Sequence, residues 1–114
     1  MPQQEQINIE ETICRTYISN SGRINYESIN RLLADRHLFT EGVAMYVGKI
    51  TYPEHLGGLA DVIHMNETTV NLSYNPKRSN ISEFISIYGR EQKIEETKQL
   101  LARSLGFDLE VDPN

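Results

Sequence analysis

The run Thr69-Val70-Asn71-Leu72-Ser73-Tyr74 decides the fold, because Val70, Leu72 and Tyr74 fall on one side of it and Thr69, Asn71 and Ser73 on the other. A period of two is what a half-buried strand requires, since successive side chains leave a pleated backbone on opposite faces. The cluster Asn75-Pro76-Lys77-Arg78-Ser79-Asn80 follows at once, and its proline cannot donate to a ladder, so the chain turns there. Phe84 to Tyr88 reads as a second strand. The period then lengthens to that of a helix from about Arg90 to Leu105, with Ile94, Thr97, Leu100, Leu101 and Leu105 along one stripe. Gly106 followed by apolar Phe107 has the form of a Schellman stop. Beyond it Phe107, Leu109 and Val111 alternate with Asp108, Glu110 and Asp112, which predicts a terminal strand whose acidic face suits a sheet edge. The C-terminal half therefore reads β-β-α-β.

Upstream, Asp61 to Met65 suits a third strand or a short helix, and Pro53 to Gly58 reads as a loop. Between Thr40 and Tyr52 two readings compete. Thr40 can cap a helix carrying Val43, Tyr46, Val47 and Ile50 on one face, whereas Gly42, Gly48 and the β-branched residues equally suit a strand. The three- and four-residue spacing favours the helix. Asn25 is a natural N-cap for a helix burying Tyr26, Ile29, Leu32 and Leu33, closed near Asp35-Arg36-His37. A further helix is predicted to start at Asn8, where Glu11 completes a capping box and Ile9, Ile13, Cys14, Tyr17 and Ile18 recur at helical spacing before Gly22. The expected architecture is α+β, with two or three N-terminal helices packed on a small antiparallel sheet. Residues 1–7 read as a polar tail and 8–114 as one domain.

The totals agree with a globular chain. With 114 residues there is room for one ordinary domain, and 39% apolar with 24% charged residues is a globular rather than a disordered balance. The single cysteine, Cys14, allows no intrachain disulfide and suits a reducing compartment. The start Met1-Pro2-Gln3-Gln4-Glu5-Gln6 lacks the basic and apolar regions of a signal peptide, and no apolar run nears the roughly 20 residues of a membrane span, so a cytoplasmic location is expected. A net charge of -5 and a pI near 5.1 argue against nonspecific polyanion binding. The acidity is concentrated late, with seven acidic and four basic side chains in residues 81–114, against six and five in residues 1–50.

No catalytic constellation emerges. Cys14 lies on the predicted apolar stripe, which gives a buried structural thiol rather than a nucleophile. His37, His55 and His64 match no zinc spacing, and no metal or cofactor is expected. Glu54, His55, Gly57 and Gly58 form the segment most like a functional loop, because glycine lets a ligand approach the backbone and an imidazole can move a proton. Lys77 and Arg78 at the turn, with Arg90 and Lys93 opening the last helix, are the candidate nucleic-acid contacts, and Tyr74 and Tyr88 the candidate stacking faces. A second nucleic-acid reading is a winged helix. Its recognition helix would start at Thr40, its wing would lie near Asn75–Asn80, and Arg23, Arg31, Arg36 and Lys49 would meet phosphates.

The run from Gly57 through Leu105, closing on Ile87-Tyr88-Gly89 with Ile94 and Lys98 after it, resembles the KH fold of RNA-binding domains in its order of turn, strands and helix. That family grips the nucleic-acid backbone with a Gly-x-x-Gly loop flanked by a basic residue. Here only Gly57-Gly58 stands at that place, with acidic Glu54 nearby, so family membership is not implied. The expectation from the residues is a small interaction or regulatory module that acts by protein-protein binding without catalysis, through an unidentified partner or as a homodimer. The alternative is a regulatory domain that binds single-stranded RNA or DNA.

Overall fold

A computed structural model describes residues 11–19, 24, 26–51, 58–74 and 84–112. Within the described residues six strands form one sheet: β1 (Ile13–Ile18), β2 (Ala44–Thr51), β3 (Leu59–Met65), β4 (Thr68–Tyr74), β5 (Phe84–Gly89) and β6 (Glu110–Val111). Among the described residues three helices accompany them, α1 (Tyr26–Leu33), the single turn α2 (Arg36–Phe39) and α3 (Glu91–Leu105). The strand order is β2-β3-β4-β5-β1-β6, and every neighbouring pair is antiparallel. The fold is α+β, with β3-β4-β5-α3-β6 extending the expected C-terminal unit by one strand.

One face of the sheet carries Ile63 and Met65 from β3, Val70, Leu72 and Tyr74 from β4, Ile85 and Ile87 from β5, and Tyr17 from β1. All belong to one core with Ile29 and Leu32 of α1, Leu38 of α2, and Ile94 and Leu101 of α3, so the helices lie on this face. The α3 stripe of Ile94, Thr97, Leu101 and Leu105 follows the helical period expected for it. Gly106 then stops the helix at φ +85, its N–H donating to the Ala102 carbonyl at 2.8 Å, the left-handed cap that glycine adopts without strain. Arg15 on β1 ties α3 down, reaching Glu95 at 3.1 Å and Glu91 at 3.5 Å.

Two predicted helices are strands. Ile13 to Ile18 is β1, held between β5 and β6. Ile13 and Tyr17 are four apart, a spacing that a helix and a strand both place on one side, and β-branched Ile13, Thr16 and Ile18 favour the pleated choice once ladders exist on both sides. Cys14 therefore points to the sheet face opposite the helices and is exposed, which corrects its assignment as a buried thiol. The segment after Thr40 is β2 rather than a third helix. The polar tail, the caps at Asn8 and Asn25, Gly22 and the turn 75–80 lie outside the described residues. The terminal strand shortens to Glu110–Val111, an edge flanked by Asp108 and Asp112.

Asp35 does not close α1 but opens α2. Its carboxylate accepts from the His37 amide at 2.8 Å and the Leu38 amide at 3.3 Å, two of the N–H groups a helix start leaves without partners. Ser104 of α3 donates to its other oxygen at 2.5 Å, so the cap also joins α2 to α3. The Ser104 hydroxyl first, and then the two amides, hold the Asp35 carboxyl below its ordinary value. A depressed carboxyl contributes stability above its unfolded pKa of about 3.9 and loses it as pH falls through the folded value. Asp35→Ala is thus expected to cost about 1 kcal/mol at pH 7, the usual worth of an N-cap, and much less at pH 2. Thermal melts of both proteins at the two pH values check this.

Candidate functional site

β2 is the long edge of the sheet, and its side chains are unusual for an edge. Among the described residues seven large hydrophobics are exposed, and five of them are Val43, Met45, Tyr46, Val47 and Ile50, on β2 or directly before it. Met45 is 61% exposed and Val47 51%. The opposite edge, β6, is two residues long and acidic, the ordinary way to discourage strand pairing. One edge is guarded and the other is apolar.

The geometry of β2 turns on a bulge. Ala44, Met45 and Tyr46 face Met65, His64 and Ile63 in turn, but the next residue in register is Gly48, opposite Val62. Val47 is therefore the extra residue of the bulge, and the strand changes phase there. Tyr46, opposite Ile63, and Lys49, opposite Asp61, consequently lie on the helix-bearing face although they are three residues apart. Met45, Gly48 and Ile50, opposite His64, Val62 and Ala60, lie on the other face. The helical reading had set Tyr46, Val47 and Ile50 on one side, whereas the strand puts Tyr46 and Ile50 on opposite faces with Val47 in the bulge between them.

The bulge serves a buried carboxylate. The Asp61 side chain retains 4% of its exposure and accepts from the Lys49 ammonium at 2.7 Å and the Tyr46 hydroxyl at 2.8 Å, both on Oδ1. Lys49 also donates to the Tyr74 hydroxyl at 2.5 Å, and its Nζ stands 5.2 Å from the centre of that ring. Burying a charge is costly unless it is paired and hydrogen-bonded, and this carboxylate is both. The hydrogen bond to Asp61 first, and that to Tyr74 next, raise the Lys49 pKa far above its ordinary value. The bond from Tyr46 to Asp61 likewise raises that phenol, burial adding to it. An ammonium held so firmly charged is no proton-transfer base near neutral pH. The network fixes Tyr46 and Lys49 at the edge strand.

The sequence-derived sites fare unevenly. Lys77, Arg78, Glu54, His55 and Gly57 lie outside the described residues. Gly58 is buried just before β3, at φ +84. Arg90 precedes α3 and pairs with Glu67 at 2.8 Å, while Lys93 stands 3.8 Å from Glu96. Tyr74 is 4% exposed on the core side and Tyr88, opposite Thr69, is on the far face, so the two do not share a stacking surface. The winged-helix reading loses its recognition helix to β2, and Lys49 is committed to Asp61.

The two described histidines lie on different elements, His37 on α2 and His64 on β3. His37 lies 2.8 Å from Glu41, and His64 lies 3.2 Å from the Thr69 hydroxyl on the face away from the helices. Among the described residues no three His, Cys, Asp or Glu side chains group as metal ligands, and no helix is long and apolar enough to cross a membrane. An open recess of about 470 Å³ beside Met45, lined by Val43, His64, Asn66 and Thr69 among others, continues the apolar edge.

Sequence reasoning passed over the pairing of Asp61 with Lys49, the bulge and the edge. The available signals were an aspartate set in the apolar run Leu59-Ala60-Asp61-Val62-Ile63, and more apolar residues between Val43 and Ile50 than one face of a small domain buries. Comparison with protein-family models, with characterised proteins and with solved structures finds no match to this chain.

Proposed function

We propose that this protein is a non-catalytic interaction module that binds another polypeptide by adding a strand to the β2 edge. The observation that supports it is the concentration of exposed large hydrophobics on β2. A bare strand edge offers a row of unpaired N–H and C=O groups, and an added strand satisfies them while side-chain contacts select the sequence. Contiguous apolar patches on monomeric proteins commonly mark such sites. The Lys49–Asp61–Tyr46 network holds the strand in one conformation, which lowers the entropy lost on binding.

The test is capture of extended peptides from a displayed library by the wild-type protein and by the double variant M45K/I50K. The expected result is that the wild type retains apolar, β-branched peptides and the variant does not. Equal retention by both overturns the reading. So does salt-sensitive binding of labelled single-stranded RNA without peptide capture, which would move the function to nucleic acid.

A further inference from the structure

The strand that a β2 edge best accommodates is another β2. Two antiparallel copies related by a two-fold axis pair residues whose numbers have a constant sum, and facing side chains must lie on the same side of the joined sheet. In an unbroken strand, residues separated by an odd number lie on opposite faces, so a dyad falling between two residues is excluded. The Val47 bulge lifts that exclusion. Met45 and Ile50 share one face, and Tyr46 and Lys49 share the other. A dyad between Val47 and Gly48 therefore sets Met45 against Ile50 of the second copy, Tyr46 against Lys49, and Val47 against Gly48.

Every one of these pairs is compatible. Met45 and Ile50, 61% and 39% exposed, cover one another on both sides of the axis. Lys49, the strand's charged residue, meets the aromatic Tyr46 and not a like charge. A side chain at Gly48 would meet no atom within 4 Å in one copy, so the space opposite is open to Val47 of the second. Shifting the dyad by half a residue instead sets Lys49 against Met45 or Val47, and apolar contact is lost. An acidic chain of net charge -5 repels its own kind at long range, yet no carboxylate lies on β2 itself, where Asp61 already neutralises Lys49.

We infer that the occupant of the β2 edge is a second copy of this chain, paired antiparallel about Val47 and Gly48, an inference that rests on the strand-addition reading above. Such pairing is isologous and closed, because it consumes the β2 edge of both copies and leaves only the short acidic β6 edges outside. The joined strands span roughly 25 Å, an interface of the smaller class, so a reversible dimer with a dissociation constant on the order of 10 μM is expected.

Sedimentation velocity over a concentration series tests it with three proteins. The wild type should dimerise. M45K/I50K, which places like charges opposite one another at both pairs, should associate about a hundredfold more weakly. M45E/I50K places opposite charges at the same pairs and should associate far better than M45K/I50K. Thermal melts confirm that all three are folded, the substituted positions being exposed in one copy. A dimer unaffected by M45K/I50K overturns the inference, as does M45E/I50K behaving like M45K/I50K. A wild type that stays monomeric at millimolar concentration also overturns it. If that monomer still captures peptides through β2, the strand-addition reading stands without the second copy.

Discussion

Lys49→Met should destabilise the fold by about 3 kcal/mol, a large effect for a half-exposed surface lysine. The reason lies with its partner. Removal of the ammonium leaves the Asp61 carboxylate, 4% exposed, with the Tyr46 hydroxyl as its remaining partner in the network and no compensating charge. Replacing both charged groups, in Lys49→Met with Asp61→Leu, should recover most of the loss, since an apolar pair imposes no comparable desolvation cost. Urea unfolding of the wild type and the two variants at pH 7 gives both numbers. Because the lysine's folded pKa is raised above its unfolded value, its contribution is fully present below about pH 10.4 and is lost only as pH rises through the folded value. The difference between wild type and Lys49→Met should accordingly stay constant from pH 6 to pH 9. A single variant as stable as the wild type would mean that water already solvates Asp61 and that the network contributes little.

Deletion of Val47 together with Gly48 should be at least as damaging, whereas Val47→Ala should change stability by less than about 0.5 kcal/mol, as exposed positions usually do. With Val47 and Gly48 between them Tyr46 and Lys49 share the helix-bearing face, but with both removed they are consecutive, and consecutive residues of a strand lie on opposite faces. Lys49 would point away from Asp61 and Tyr74. The expected loss is about 3 kcal/mol from the stranded carboxylate. Removal of Val47 alone takes out the extra residue of the bulge and leaves Tyr46 and Lys49 two apart on one face, so it should be far milder. Thermal unfolding followed by circular dichroism separates the three variants. A double deletion as mild as the alanine substitution would show that the spacing of Tyr46 and Lys49 is not what places Lys49 at Asp61.

The contrast between what the sequence discloses and what it conceals has a physical basis in these elements. β4 was legible because Thr69 to Tyr74 alternates without exception and both of its neighbours in the sheet keep register with it. α3 was legible because Ile94, Thr97, Leu101 and Leu105 satisfy only the helical period, and Gly106 marks its end. β1 was not, since Ile13 and Tyr17 satisfy both periods, and the ladders that choose between them come from Phe84–Gly89 and Glu110–Val111, far along the chain. β2 was misread for the opposite reason. Its apolar residues Val43, Tyr46, Val47 and Ile50 have helical spacing, yet the bulge at Val47 sends Tyr46 and Ile50 to opposite faces of a strand, and nothing local announces it. The polar network escaped notice because its members come from positions 46, 49, 61 and 74, which only the sheet brings together. Of the basic residues picked out from the sequence, Arg90 has Glu67 of the hairpin beside it and Lys93 has Glu96 of α3.

The most direct measurement of the central claim is hydrogen exchange, read by mass spectrometry, on β2 with and without a peptide captured by the wild-type protein. The account predicts that amides within Ala44–Thr51 slow on binding while those of Glu110–Val111 do not. Slowing confined to other elements, with β2 exchanging at its free rate, would contradict it.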